Sequence, residues 1–344
     1  MAEAVIYSYK LSSEAVRCVT SQSYVPPILL ELSKLVPVAH TTYIISFKTL
    51  MTLSNRTQLT FAASAILLSF SSFCFAQTKS ISISHSGNFT ETFQLLSEDS
   101  TSYSIDVTLP YNYQVGESYP VLYYLDAWWL DELIKGSYKI ANRSKKVASV
   151  ILVGIYREGN EDAWHRQRNY DLTPTPFGQK ESKITMMMGT QIVNHENTGG
   201  ASGLLTFMED RLSPALKRSY SIDASQSTLL GHSLGGLFGM YAFLQASPII
   251  NNYLLISPAL WWDGQNALNQ LDSAKLNELK GKRLFVSYGG NENRLIQEPS
   301  KALLDKLKPS DIDHQALIYA DANHNSVLPR AIYDGIEWLY RAEQ

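Results

Sequence analysis

Cysteine is nearly absent from this chain of 344 residues, which contains only two. Both of them, Cys18 and Cys74, lie in the segment that precedes Gln77. The remainder of the chain therefore has no thiol, which excludes a disulfide and a cysteine metal site there. A domain built from that remainder must be stabilised by its hydrophobic core alone, and its length is sufficient for this.

The sequence also lacks an excess of positive charge and the usual patterns of metal ligands. Lys and Arg number 29 against 32 Asp and Glu, which gives a formal net charge of −3. Phosphate backbones require a basic surface, so nucleic acid is excluded as a partner. Because H-x-H, H-E-x-x-H and paired cysteines are missing, we expect no metal and no cofactor, and a metallohydrolase is disfavoured.

No apolar run is long enough to span a bilayer, and the most pronounced one has the pattern of a secretory signal. In residues 51–76, Arg56 precedes an apolar run from Phe61 to about Phe70, and Ala76 ends a small-x-small cleavage pattern. We therefore predict cleavage before Gln77, no stable membrane anchor afterwards, and a periplasmic or secreted location.

The predicted signal begins at its own methionine, Met51. Because export signals stand at the start of a chain, we hypothesise that translation begins there and that residues 1–50 are a misannotated upstream extension. Residues 77–344 are then expected to form a single domain.

Short apolar runs alternate with helical segments in this domain. The predicted strands lie within Tyr103–Pro110, Tyr119–Asp126, Val147–Ile155, Ser227–Gly231, Asn252–Ser257, Arg283–Gly290 and His314–Asp321, and the predicted helices within Gly203–Tyr220, Leu234–Ala246, Ser300–Leu307 and Pro329–Arg341. The first run alternates like an antiparallel edge strand, whereas the inner runs are continuously apolar like buried parallel strands. The pattern predicts an α/β fold with a mostly parallel central sheet and helices on both faces. Between Tyr156 and Gly203 the pattern is interrupted by a long polar segment, predicted to be a loop whose part Trp164–Thr175 forms a lip facing the substrate.

A serine lies between glycines where a predicted strand meets a predicted helix. Gly231-His232-Ser233-Leu234-Gly235 fits G-x-S-x-G, the pattern of a nucleophile elbow that exposes the serine hydroxyl above the sheet. Gly231 and Gly235 are expected to be required because neighbouring backbone passes too close for a side chain. We predict that Ser233 is a nucleophile, rather than a capping residue at a helix start.

A serine nucleophile needs a base and an acid, which follow it in the order acid, then His, in this type of fold. His324 comes directly after the last predicted strand, so it is the candidate base. Glu292, after the preceding strand, is the candidate acid, and Asp263 and Asp321 are the alternatives. The oxyanion donors are predicted to be the backbone N–H groups of Leu234 and, after the second predicted strand, about Ala127.

Several segments occur together in the order expected for a known family. They are YPVLYYLDAWW, RNYDLTPT, GGASGLLTFMEDRLSPALKRSY, LLGHSLGGLFGMYAFL, LLISPALWWD and ANHNSVLPRAIYDGIEWLY. Over residues 85–344 the chain resembles the esterase family of α/β-hydrolases that contains the enterobactin-type siderophore esterases, S-formylglutathione hydrolase and feruloyl or acetyl-xylan esterases. The resemblance implies the α/β-hydrolase fold, a nucleophile at Ser233, a base at His324 and an acid at Glu292. Since some members of the siderophore branch work with a Ser–His pair, the identity of the acid stays open.

The expected substrate is a small ester, with siderophore trilactones as the first hypothesis. Trp128 and Trp262 could offer stacking faces to an aromatic siderophore, and Arg168 a positive charge. A feruloyl, acetyl or general short-acyl esterase explains the same residues. A non-catalytic binding protein with the same fold is the alternative from another class, and the intact Ser233 and His324 argue against it.

Overall fold

Nine strands form one sheet in the part of the chain that the structure describes. The computed structural model describes residues 79–83, 89–178 and 193–342, so the predicted signal peptide and the extension before it lie outside the described residues and stay predictions. The strands are β1 (Lys79–Ile83), β2 (Phe89–Leu96), β3 (Ser102–Thr108), β4 (Tyr119–Tyr124), β5 (Ile151–Tyr156), β6 (Ile222–His232), β7 (Asn252–Ile256), β8 (Arg283–Gly289) and β9 (Asp313–Tyr319).

The strand order is β1-β2-β3-β5-β4-β6-β7-β8-β9. The pairs β1–β2, β2–β3 and β3–β5 are antiparallel, and every pair from β5 to β9 is parallel. The mostly parallel sheet is thus confirmed. The prediction that the first run is an edge strand is wrong, because β2 pairs with β3 along the side away from β5.

Nine α-helices accompany the sheet among the described residues. They are α1 (Ala127–Arg143), α2 (Glu161–Leu172), α3 (Ala201–Phe207), α4 (Ser213–Ser219), α5 (Leu234–Leu244), α6 (Trp262–Asn269), α7 (Ser273–Glu278), α8 (Arg294–Leu307) and α9 (Leu328–Leu339). A short π-helix, Met208–Leu212, joins α3 to α4. None of the helices in the described ranges combines the length and the apolar character that crossing a bilayer would require.

The helices cover both faces of the sheet, as the sequence predicts. Side chains of β4 alternate between the faces, so that Tyr123 lies in one buried cluster and Tyr124 in the other. Helices α5 and α8 pack in the cluster that contains Tyr123, whereas α1 and α9 pack in the cluster that contains Tyr124. Burial of strands on both faces is the reason that the inner runs are continuously apolar.

Part of the segment predicted as a long loop is helical instead. Helix α2 begins after Asn160, whose side chain accepts a hydrogen bond from the Ala163 N–H at 2.9 Å. Only Asn169, Asp171 and Leu172 of this helix are buried. Its surface is therefore polar on almost every side, which removes the apolar periodicity by which a helix is recognised in a sequence.

Candidate active site

Ser233 occupies a strained turn between β6 and α5. Its backbone angles are φ 59° and ψ −114°, a conformation that costs free energy for any residue with a side chain. The turn is held on both sides by the neighbouring chain: the Ser233 N–H donates to the Ile256 carbonyl at 3.0 Å, and the Ser233 carbonyl accepts from the Ala259 N–H at 2.9 Å. This is the strand-to-helix geometry that the G-x-S-x-G motif predicts.

Two glycines make the turn sterically possible, and they are not both the expected ones. A Cβ on Gly231 would lie 2.1 Å from the Gly235 carbonyl oxygen, and a Cβ on Gly236 would lie 2.8 Å from the Pro258 Cα. A Cβ on Gly235 would come no closer than 3.6 Å to any neighbour, the Asp126 carboxylate. The expectation is therefore correct for Gly231 and wrong for Gly235, because the close backbone contact falls one residue later, at Gly236.

His324 and Glu292, from the loops after β9 and β8, meet directly. The His324 Nδ1 lies 2.6 Å from the Glu292 Oε2. Since a carboxylate only accepts, Nδ1 carries the proton and Nε2 is left to take a proton from a nucleophile. Within the described residues no hydrogen bond joins the Ser233 hydroxyl to His324.

Glu292 is built into the site as an ionised carboxylate. Its side chain is 1% exposed, and its other oxygen accepts from the Ser257 hydroxyl and the Gly289 N–H, both at 2.6 Å. Burial raises the pKa of Glu292, but the hydrogen bonds from His324, Ser257 and Gly289 outweigh it and leave that pKa below its usual value.

The alternative acids lie elsewhere. Asp321 pairs with Arg330 at 2.6 Å with its side chain 78% exposed, and Asp263 accepts from the Asn266 side chain at 3.0 Å. The structure therefore brings Glu292, and neither aspartate, to the candidate base.

A second histidine, which no sequence pattern singles out, lies beside the base. His232 is buried, and its Nε2 lies 2.9 Å from the backbone carbonyl oxygen of His324. The two imidazole rings pack with their centroids 4.5 Å apart, and the Trp129 and His232 rings are steeply inclined to each other, at 67°, with centroids 6.1 Å apart. The partners in this hydrogen bond are 92 residues apart in the chain. A local sequence pattern therefore cannot predict the contact between them.

Each predicted oxyanion donor is the first N–H of a helix. Leu234 opens α5 and Ala127 opens α1. N–H groups in the first turn have no acceptor inside their own helix, so they are free to bind an anion at the carboxyl end of the sheet. The roles of Leu234 and Ala127 stay predictions that this placement supports.

An aromatic and cationic stack lies beside α1. Trp128 is 41% exposed and stacks on Trp164 with centroids 5.0 Å apart, and the Arg168 guanidinium lies 5.3 Å from the centre of the Trp164 ring. Trp128 is therefore accessible to a ligand, and its binding role stays a prediction. Arg168 forms two hydrogen bonds with Asp126, of 2.9 and 2.8 Å. A guanidinium has five N–H donors, so the predicted binding role of Arg168 stays a prediction.

Trp262 is a core residue. It is 2% exposed, and its indole N–H donates to the Thr175 hydroxyl at 3.0 Å. A side chain enclosed in this way has no face left for a substrate, so the predicted binding role of Trp262 is wrong.

A serine on a strained strand-to-helix turn, in a largely parallel sheet flanked by helices, defines the class of α/β-hydrolases. The chain belongs to the family described as "Putative esterase", whose model matches residues 99–327.

Curated relatives of the chain are named as siderophore esterases. It is 31% identical over 177 residues to the ferri-bacillibactin esterase BesA of Bacillus subtilis, a match that covers 51% of the chain and 59% of BesA. It is 25% identical over 225 residues to a siderophore enterobactin esterase of Emericella nidulans, covering 60% of the chain and 71% of the relative. The chain thus spans less than two thirds of the length of BesA.

Solved structures have the same fold. The BES protein of Bacillus cereus matches with a TM-score of 0.63 and 25% identity, over 73% of the chain and 96% of that structure. An IroE-like serine hydrolase of Shewanella oneidensis matches with a TM-score of 0.62 and 25% identity, over 73% of the chain and 80% of that structure. The α/β-hydrolase fold is thereby confirmed.

Proposed function

We propose that the protein is a serine esterase that cleaves carboxylic esters through an acyl-enzyme. The observation that carries this proposal is the contact between His324 Nδ1 and Glu292 Oε2, next to the strained turn that bears Ser233. A base oriented by a buried carboxylate beside a presented hydroxyl is the arrangement that nucleophilic acyl transfer requires.

In the proposed reaction the Ser233 Oγ attacks the ester carbonyl carbon while its proton passes to His324 Nε2. The carbonyl oxygen becomes negatively charged and accepts hydrogen bonds from the N–H groups of Leu234 and Ala127. The tetrahedral intermediate collapses, the C–O bond of the ester breaks, and the leaving alcohol takes the proton from His324. Water then attacks the acyl-enzyme with His324 again as base, which releases the acid and regenerates Ser233.

Glu292 supports both halves of this cycle. Its oxygen at 2.6 Å from Nδ1 fixes the tautomer of His324 and stabilises the imidazolium that forms when the proton is taken up. Because two further donors, Ser257 and Gly289, hold the other oxygen, the carboxylate cannot rotate away from the base.

For the substrate we propose the ester bonds of a siderophore. The names of BesA and of the enterobactin esterase of Emericella nidulans support this choice. The exposed faces of Trp128 and Trp129 at the start of α1 support it as well, because aromatic groups stack on such faces. Feruloyl and short-acyl esters are the second candidate. Of these two, the exposed tryptophans favour only the feruloyl esters, because a short acyl group has no aromatic ring to stack.

We further propose that the enzyme is exported to the periplasm or secreted. This proposal is supported only by the signal pattern in residues 51–76. Sequencing the N-terminus of the natural protein tests it, and a detected peptide from residues 1–50 would contradict the hypothesis that translation starts at Met51.

The activity is tested by comparing Ser233→Ala with Ser225→Ala, a control in the exposed first half of β6, where the Ser225 hydroxyl donates to Asp223. Ser233→Ala is expected to lose turnover of p-nitrophenyl acetate by several orders of magnitude and to lose labelling by a serine-directed phosphonate. The control is expected to retain both. An active Ser233→Ala enzyme would show that Ser233 is not the nucleophile. A native protein that hydrolyses none of the esters supplied would favour a binding protein instead.

A substrate panel then separates the ester classes. Trilactone siderophores, feruloyl sugars and short acyl esters are compared by kcat/KM on the same preparation. The proposal expects the largest value for a siderophore, and a larger value for a short acyl ester would replace it by the second candidate.

A further inference from the structure

One short segment of the chain contacts both the turn of Ser233 and the candidate acid. It begins at Ile256, the last residue of β7, and ends at Ala259. The Ile256 carbonyl accepts from the Ser233 N–H at 3.0 Å, and the Ala259 N–H donates to the Ser233 carbonyl at 2.9 Å. Ser257 lies between these two contacts, and its hydroxyl donates to the Glu292 Oε1 at 2.6 Å.

The backbone of Ser257 has an unfavourable conformation at this junction. Its φ is 45°, in the left-handed region that residues other than glycine seldom occupy. The residue is buried, and its N–H donates to the Ser287 carbonyl at the end of β8, at 2.7 Å. Such strain persists only where the surroundings hold it, and it is concentrated at functional sites. A glycine would fit this backbone better, so the hydroxyl of Ser257 needs an explanation other than the turn itself.

The Ser257 hydroxyl stabilises a negative charge that is shielded from water. The Glu292 side chain is 1% exposed. Burial raises the pKa of Glu292, whereas the hydrogen bonds from His324, Ser257 and Gly289 lower that pKa and outweigh the burial. The titratable group that faces the carboxylate is His324, whose ring packs on His232 with centroids 4.5 Å apart. Loss of the Ser257 hydroxyl would therefore remove one of the contacts that favour the charged form of the acid.

We propose that Ser257 is a positioning residue of the candidate active site, which acts through Glu292 on His324. The inference rests on the proposed esterase function and deepens it, because it adds a fourth side chain to the nucleophile, the base and the acid. Since residues on either side of Ser257 hold the turn of Ser233, the hydroxyl also fixes the acid relative to the nucleophile.

The test compares Ser257→Ala and Ser257→Gly with the native enzyme on p-nitrophenyl acetate. Both variants lose the hydroxyl, but only glycine relieves the left-handed backbone, so the two together separate the hydrogen bond from the strain. Ser287→Ala is the matched control, because the Ser287 hydroxyl is also buried and has no hydrogen-bond partner within the described residues. Glu292→Gln and the double variant Ser257→Gly/Glu292→Gln complete the set.

Both Ser257 variants are expected to lower kcat by about 10–100-fold, the scale of one hydrogen bond to a charged group, with KM changed by less than about 3-fold. The midpoint of the acid limb of kcat/KM should move to higher pH by about 0.5–1 unit, because the pair of His324 and Glu292 then takes up its first proton more readily. Ser287→Ala should keep the native kcat and the native midpoint. Ser257→Gly should melt at a higher temperature than Ser257→Ala.

The double variant shows whether Ser257 acts through the acid. If it does, Ser257→Gly/Glu292→Gln stays within about 2-fold of Glu292→Gln in kcat, because the route from Ser257 to the base is already broken. If Ser257 only supports the fold, its loss adds to that of Glu292→Gln, and activity falls by the same factor at every pH.

Three results would overturn the inference: an unmoved midpoint, an additive double variant, or a Ser257→Gly enzyme with native kcat. A mild effect of Glu292→Gln would overturn it as well, because Ser257 then has no acid to act through. Ser257→Gly alone decides the matter if Ser257→Ala does not fold. Failure of the esterase proposal is distinguishable, because it shows as turnover retained in Ser233→Ala or as a native protein without turnover.

Discussion

His232 donates a hydrogen bond from its Nε2 to the backbone carbonyl oxygen of His324, at 2.9 Å, while the two rings pack 4.5 Å apart. A carbonyl only accepts, so the Nε2 of His232 must carry a proton. His232, the residue before the candidate nucleophile, therefore holds the loop that bears the candidate base through this hydrogen bond. Glu292 holds the same base from the other side, through Nδ1.

Replacing His232 should affect catalysis according to whether the donor is kept. His232→Gln places an amide N–H near the position of Nε2, whereas His232→Phe keeps a ring and loses the donor. We expect His232→Phe to lower kcat by about 10–100-fold, since a small displacement of a catalytic group has an effect of this size, and His232→Gln to lower it by much less. Steady-state kinetics on p-nitrophenyl acetate measure both, and equal losses in the two variants would show that the hydrogen bond is unimportant.

The structure favours Glu292 as the acid of a triad, and three matched variants test this. Glu292→Gln is expected to reduce kcat by about 10²–10⁴-fold, because the neutral amide no longer stabilises the imidazolium. Asp321→Asn and Asp263→Asn should remain close to the native enzyme, since neither aspartate contacts His324. A mild effect in all three variants would indicate a Ser–His dyad, and a severe effect in Asp321→Asn or Asp263→Asn alone would show that another acid is used.

The effects of alanine substitutions at the elbow on stability and activity should depend on the steric contacts of each glycine, not on its place in the G-x-S-x-G motif. Gly231→Ala and Gly236→Ala place a methyl group 2.1 and 2.8 Å from backbone atoms, so both should lower the melting temperature and the activity. Gly235→Ala meets its nearest neighbour at an ordinary 3.6 Å and is expected to fold with native stability. Thermal unfolding of the three proteins provides the comparison, and a Gly235→Ala protein less stable than the other two would contradict this account.

The two tryptophans that were candidates for substrate binding should separate into a surface residue and a core residue. Trp262→Ala is expected to destabilise the protein by about 3–5 kcal/mol, the usual loss for a buried aromatic side chain. Trp128→Ala should change stability little, because Trp128 is 41% exposed. It should raise KM for a feruloyl ester more than for ethyl acetate, which has no aromatic ring. An unchanged ratio of the two KM values would remove Trp128 from the binding site.

The elements that sequence reasoning finds are those with a strong local pattern. All seven predicted strands are present. Strands β4, β5, β7 and β8 are almost entirely buried and leave continuous apolar runs, whereas the edge strand β9 has no buried residue. The sequence does not indicate helix α1, because this helix follows β4 directly and its N-cap residue, Asp126, is left-handed and makes no capping hydrogen bond. Helix α2 has no apolar stripe, and β2 has a half-polar sequence without a continuous apolar run.

The structure brings some of the predicted site residues together and not others, for a related reason. Ser233, His324 and Glu292 could be located because the order of elements fixes which loops reach the carboxyl end of the sheet. Asp126 and Arg168 are 42 positions apart in the chain, so the sequence shows an arginine without showing the carboxylate that pairs with it. The burial of Trp262 likewise depends on its neighbours in space, such as Thr175.

The environment of His232 also predicts how stability depends on pH. Burial lowers the pKa of His232 well below its usual value, and the charges of His324 and Arg168 lower it further, while the hydrogen bond to the His324 carbonyl acts in the opposite direction. The folded protein therefore keeps His232 neutral at pH values where the unfolded chain, with an ordinary histidine pKa of about 6.5, binds a proton. Stability must then be lost as the pH falls below that value.

We expect His232→Gln to remove this part of the pH dependence. At pH 8 His232 is neutral in both the folded and the unfolded chain, so a difference between the two proteins there reports packing and hydrogen bonding alone. Between pH 8 and pH 5.5 the native protein should lose about 1 kcal/mol more of its free energy of unfolding than His232→Gln does. Urea unfolding at the two pH values measures both losses. An equal loss in the two proteins would mean that His232 takes up a proton in the folded state, and that its ring does not hold the His324 loop as a neutral donor.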